Sequence, residues 1–295
     1  MKFKSPAQRA FNVANIAFLV LTCIICILPF WNLLSVSFSA AWAVKANKVT
    51  FWPVGFSLGA YQYCFQSGRF LRALWISVER VLLGVGVNVL LMVLTAYPLS
   101  RPKDKFAGRG IYMIYFVITM IIGGGLIPTY LLVTKLHMLN TLWALVLPGA
   151  LPIFSMIILM NFIRSLPEEL EEAALIDGAS PLMVLFKVLL PLLTPSLATV
   201  ALFSIVGHWN DWFSGLIYMQ NNMNYPLQTY LQILLRDFEQ IIRMANGDIA
   251  AILAMMDVRS GRAAQLFLAA IPIMAIYPFL QRYFTTGLVL GSVKG

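Results

Sequence analysis

The sequence predicts an all-α polytopic membrane protein with six transmembrane helices, and three observations predict it. Of 295 residues, 60% are hydrophobic and only 11% charged, whereas soluble domains carry about 25% charged residues. Mean hydropathy is +0.81. Six segments, roughly 13–36, 73–97, 111–133, 139–163, 192–219 and 263–284, approach the length of a span, which needs about 20 mostly apolar residues.

The first span follows Lys2, Lys4 and Arg9, and small residues from Ser39 to Ala43 come after it. That layout imitates a cleaved signal. The apolar run from Ile16 to Leu34 is 19 residues, however, longer than a signal core of about 7–15, so an uncleaved helix is expected. Cys23 and Cys26 lie within it without a second cysteine pair or a nearby histidine, and read as small buried hydrophobes.

The connection 98–110 holds Arg101, Lys103, Lys105 and Arg109 against one acid, Asp104. Short basic loops stay cytoplasmic, which places this loop and, with an even number of spans, both termini inside. The net charge of +9 is then a topology signal and no nucleic-acid partner is expected. The loop 164–191 falls on the same side, and the connections 37–72 and 220–262 fall outside. Within the latter, a helical run passes Arg236 and Glu239. The apolar stretch Ile249–Met256 is too short to span and reads as interfacial or re-entrant. Gly123-Gly124-Gly125 in the third span reads as a close-packing site rather than a gating hinge.

Catalytic chemistry is not legible. Gly-Lys never occurs, so no phosphate-cradling Walker A loop exists. His137 and His208 have no ligand spacing, and no serine sits in a G-x-S-x-G elbow. Neither a metal nor a cofactor is expected, and the energy for any pumping has to come from a partner.

The stretch from Ser165 to Pro191 carries the most information. Ser165 and Glu168 have capping-box spacing, and Glu168, Glu169, Glu171 and Glu172 suit the positive end of a helix. Leu166, Leu170 and Ala173/Ala174 form a stripe. Gly178 is the expected left-handed stop, Ser180-Pro181 the start of a second helix, and Pro191 its end. A helix–turn–helix bracket is predicted, with a small alanine surface that another protein can approach. Four glutamates argue against its lying on an anionic lipid surface.

The pattern Glu172-Ala173-Ala174, three residues, Gly178, nine residues, Val188, one more, then Leu190-Pro191 resembles the EAA loop of ABC importer permeases. Val188 stands where that family usually has Ile. Further segments are similar to its carbohydrate, maltose-type branch: Gly124-Gly125-Leu126-Ile127-Pro128-Thr129-Tyr130, Asn140-Thr141-Leu142-Trp143-Ala144, Trp209-Asn210-Asp211-Trp212-Phe213, Gln281-Arg282-Tyr283-Phe284 and the final Gly291-Ser292-Val293-Lys294-Gly295. The wording is nearest the aldouronate, alginate and lipo-oligosaccharide types. The resemblance implies a type I importer permease fold in a bacterial plasma membrane. It implies an ATPase dimer docked at Glu172, Ala173, Ala174, Asp177, Gly178, Leu190 and Pro191. It also implies a second homologous permease and an external solute-binding protein. An N-terminal helix and outer loop (1–72), a permease core (73–284) and a cytoplasmic tail (285–295) are the expected divisions.

Polar residues in spans are costly and mark function. Asn88 in the second span, and Trp209, Asn210, Asp211, Trp212 and Tyr218 near the end of the fifth, are the candidate substrate path, with His208 beside them. Aromatic faces beside hydrogen-bonding groups suit a sugar. Two readings stand for this segment: sugar contact, or an interfacial belt with Asp211 as a cap or ion-pair partner. Arg69, Arg72 and Arg80 would suit an acidic substrate, although Arg80 snorkelling to the interface or pairing with Glu79 is the favoured reading. An ATP-independent carrier would need inverted repeats or a buried ion relay, and neither is legible. An ABC permease for a non-sugar solute is the other alternative.

Overall fold

Apolar runs of this length leave the backbone no partner but itself, and the helix satisfies every internal N–H and C=O. The computed structural model describes residues 6–66, 68–244 and 259–278. Every regular element among them is helical, apart from one isolated bridge between Ser39 and Phe56. The elements are α1 (Pro6–Ser37), α2 (Ala41–Lys45), α3 (Gly59–Gln66), α4 (Gly68–Ser100), α5 (Arg109–Ile121), α6 (Leu126–Lys135), α7 (Leu142–Gly149), α8 (Ile153–Arg164), α9 (Glu169–Ile176), α10 (Pro181–Leu192), α11 (Thr194–Asn210), α12 (Phe213–Tyr218), α13 (Leu227–Met244) and α14 (Arg259–Pro278).

Among the described residues, α1, α4 and α14 are long and apolar enough to cross a membrane singly. The count reaches six only if the bent pairs α5–α6, α7–α8 and α10–α11 each make one span, with bends of 109°, 55° and 85°. The triplet Gly123-Gly124-Gly125 separates α5 from α6, and within this chain a Cβ at Gly123 would meet nothing within 4 Å. Two expectations change at these breaks. Pro191 does not end its helix, which continues to Leu192 and turns at Leu193 before Pro195. The fifth span does not run to 219, because α11 ends at Asn210 where Asp211 turns extended.

Residue contacts divide the chain into two units, Met1–Leu71 with Ile233–Ile271, and Arg72–Gln232 with Pro272–Gly295. In the first, Val36 and Val44 bury against Ala263. The connection after α1 is tied back to it by Trp31 Nε1 and Ser35 Oγ, both donating to the Phe51 carbonyl at 2.6 and 2.8 Å. The apolar stretch of α1 buries nothing, so Cys23 and Cys26 are exposed rather than buried. In the second unit, Met92, Val93, Ala96 and Leu99 of α4 pack with Met156, Leu159, Met160 and Ile163 of α8 around Val184, Leu185 and Leu189 of α10. The 249–256 stretch, the segments 281–284 and 291–295, and Lys2 and Lys4 lie outside the described residues.

Candidate functional site

The bracket forms from local chemistry. Ser165 is not the cap of α9: it closes α8, its hydroxyl donating to the Phe162 carbonyl at 2.8 Å, and Glu168 is the N-cap with no side-chain bond. Pro167 separates the two helices, so the capping-box spacing is not used. At the other end Gly178 has φ 83°, a left-handed value costing other residues about 1–2 kcal/mol. Its N–H donates to the Leu175 carbonyl and that of Ala179 to Ala174, both at 3.0 Å, which completes a Schellman cap. Ser180 Oγ accepts from Met183 N at 3.3 Å and Pro181 follows as the first helical residue, as expected. Val184–Leu189 then winds as a π turn, an opening directly before Pro191, whose ring would crowd the carbonyl four residues earlier in a tighter helix.

The inner face of the bracket is buried and its tip is not. Of the expected stripe, Leu166 and Ala174 reach the core while Leu170 and Ala173 stay exposed. Glu172, Asp177, Gly178 and Pro191 are exposed and Leu190 is half-buried. At the tip Ile176 is 85% and Leu182 60% exposed, with Met183 and Phe186 beside them in sequence. Large apolar side chains presented around a turn, on a rigid base, suit a protein partner.

The base holds an ion pair that sequence spacing does not reveal. Glu171 is buried and pairs with Arg101, which stacks 4.3 Å over the Tyr97 ring; the Tyr97 hydroxyl donates to Glu171 Oε1 at 3.3 Å. Arg164 donates to the Leu99 and Ser100 carbonyls at 3.0 and 3.4 Å, satisfying two acceptors at the end of α4. Burial pushes the Arg101 guanidinium below its ordinary range, while Tyr97 and Glu168 act against that shift.

A cavity of about 420 Å³ opens among α4, α7, α8, α11 and α12. It brings together three of the expected path residues, Asn88, Asp211 and Tyr218, with His208, Ser155 and Ser204. Trp209, Asn210 and Trp212 do not line it: Trp209 is buried elsewhere, Asn210 is exposed and Trp212 packs edge-on against Phe213. Phe203 supplies the aromatic wall instead.

Arg80 neither snorkels nor pairs with Glu79. It is 1% exposed, bound to the Asp211 carboxylate and donating to the Asp211 carbonyl at 2.8 Å and Ser214 Oγ at 2.9 Å. Adjacent residues on a helix do not face each other, which excludes Glu79. Asp211 also accepts from the N–H groups of Phe213 and Ser214 at 3.0 and 3.1 Å, and so starts α12. The Arg cluster does not form: Arg72 donates to the Met223 carbonyl and Asn224 Oδ1, and Arg69 is exposed. Asn88 is fully bonded when its amide nitrogen faces the Gly84 and Ala150 carbonyls at 3.0 Å each. Its oxygen then accepts from Ser204 Oγ at 2.8 Å and His208 Nε2 at 3.2 Å. Gly84 permits this network, since a Cβ there would come within 2.4 Å of His208 Nε2.

Residues 53–289 match the family described as binding-protein-dependent transport system inner membrane component. The chain belongs to this family. Its relatives include protein LplC of Bacillus subtilis, 39% identical over 99% of this chain and 97% of the relative. The polygalacturonan/rhamnogalacturonan transport system permease YtcP of the same organism is 37% identical over 98% and 99%. A crystal structure of a bacterial ABC transporter that imports the acidic polysaccharide alginate aligns with TM-score 0.84 and 28% identity. The alignment covers 96% of this chain and 100% of that one. Membership makes the chain a multi-pass inner-membrane transport subunit, not an enzyme. It also implies a separate ATPase and a substrate-binding protein as partners.

Proposed function

We propose that the chain is the permease subunit of an ATP-driven importer of oligosaccharides, with uronate-containing saccharides as its substrate class. The observation that carries this reading is the bracket 165–191, with an apolar exposed tip on a buried base, in a chain without nucleotide chemistry of its own. An ATPase dimer docks around Glu172, Ala173, Ala174, Asp177, Gly178, Leu190 and Pro191. A second, homologous permease completes the pathway, and both termini lie in the cytoplasm. The helix with its outer loop (1–72), the permease core (73–284) and the tail (285–295) divide these tasks.

Substrate acidity is inferred from relatives whose names specify polygalacturonan and alginate, because Arg80 and Arg72 are already engaged within the chain. Asn88, Asp211 and Tyr218 line the path with hydrogen-bonding groups suited to sugar hydroxyls, and Trp209, Asn210 and Trp212 flank it. The test is uptake by proteoliposomes holding the permease pair, its ATPase and the binding protein. ATP-dependent entry of labelled oligogalacturonides or oligoalginates is expected, with neutral maltooligosaccharides excluded. Assembled vesicles that import no saccharide would overturn the reading.

A further inference from the structure

Four glutamates stand between 168 and 172, and only Glu171 turns inward. Apolar packing of Val184, Leu185 and Leu189 already seats the bracket on α4 and α8. A buried ion pair adds little net stability beyond what packed apolar residues would give, because both charges lose their water. It does fix geometry. Arg101 is the first residue beyond α4, its guanidinium carbon 4.3 Å over the Tyr97 ring and its charge paired with Glu171 of α9, with side-chain exposures of only 15% and 9%. Arg164, the last residue of α8, grips the final carbonyls of α4. Three element ends are therefore fastened at one point, at the base of the bracket.

The helix fastened there also carries the cavity wall. Arg80 and Asn88 of α4 line the cavity. They lie 21 and 13 residues before Arg101, about 32 and 20 Å along a helix rising 1.5 Å per residue. We infer that Glu171 and Arg101 are positioning residues of transport. Their pairing makes the bracket and α4 one body, so that a displacement of the bracket moves the helix lining the cavity. Apolar contacts alone resist separation but permit sliding, whereas a stacked and hydrogen-bonded pair resists shear as well. The inference rests on the bracket being the ATPase-facing element, and it adds the residues through which the motion enters the membrane domain.

The test uses the whole transporter in proteoliposomes and reads two quantities, ATPase bound per permease and substrate imported per ATP hydrolysed. Glu171→Arg and Arg101→Glu each bring like charges together in the buried pair. Each is expected to retain the ATPase and to lower import per ATP about tenfold. The double reversal restores opposite charges and is expected to recover import, which a purely structural loss would not allow. Where a single reversal does not assemble, Glu171→Gln gives the same reading, since it keeps the shape and removes the charge. Parental import per ATP in Glu171→Gln or in either reversal would overturn the inference. So would a double reversal that assembles with its ATPase and stays uncoupled. A parental complex without bound ATPase would fail differently, removing the role given to the bracket itself.

Discussion

Replacing Gly178 with aspartate is expected to abolish ATP-driven import while leaving the protein inserted and folded. Gly178 has φ 83°, and a Cβ built on it would meet nothing within 4 Å. The cost inside the subunit is therefore backbone strain alone, about 1–2 kcal/mol for a left-handed residue other than glycine and less for Asp, which tolerates that region. Strain of that size does not unfold a membrane domain. The new carboxylate, however, projects into the open space beside Ile176 and Asp177, where the ATPase is proposed to approach. Import should fall to background, while the yield of detergent-solubilised protein and its elution volume stay near the parental values. Near-normal uptake by Gly178→Asp would show that the turn does not face a partner.

The second large effect is expected at Asp211. Its carboxylate neutralises a guanidinium that is 1% exposed, and it caps α12 through two backbone N–H groups. Removing one member of a buried pair leaves an uncompensated charge and typically costs about 3–5 kcal/mol, and loss of an N-cap adds about 0.5–2 kcal/mol. Asp211→Ala should accordingly lower the thermal stability of the purified protein sharply. Arg80→Met combined with Asp211→Ala should recover most of the loss, because neither charge is then left unpaired. Thermal unfolding of the parent, both single variants and the double variant in one detergent checks this. A double variant no more stable than Asp211→Ala alone would mean that the pair is not the source of the stability.

The bracket is the part most legible in the sequence, because it is built by local rules. Gly178, Ser180 and Pro181 each fix their own stretch of backbone, and the structure keeps all three assignments. Ser165 shows the limit of such rules: the same side chain can close the preceding helix or open the next, and Pro167 decides between them. Length and hydropathy locate apolar segments but not their breaks, which depend on glycine triplets and prolines whose bends tertiary packing sets. The ion pairs were the least accessible. Arg80 and Asp211 are 131 residues apart, and Arg101 and Glu171 are 70 apart. No periodicity links them. One signal was present: Arg80 and Asp211 are charges inside two different expected spans, and charges at that depth need a partner. Arg101, read only as one of the basic residues of a short loop, carried no such signal.

The most direct measurement is co-purification from detergent of tagged parent protein and a variant carrying Glu172→Ala with Gly178→Asp, with the captured chains identified by mass spectrometry. The parent should bring down an ATPase and a second permease, and the variant should keep the permease and lose the ATPase. A parent that purifies alone, or a variant that retains its ATPase in full, would contradict the assignment of residues 165–191 as the coupling element.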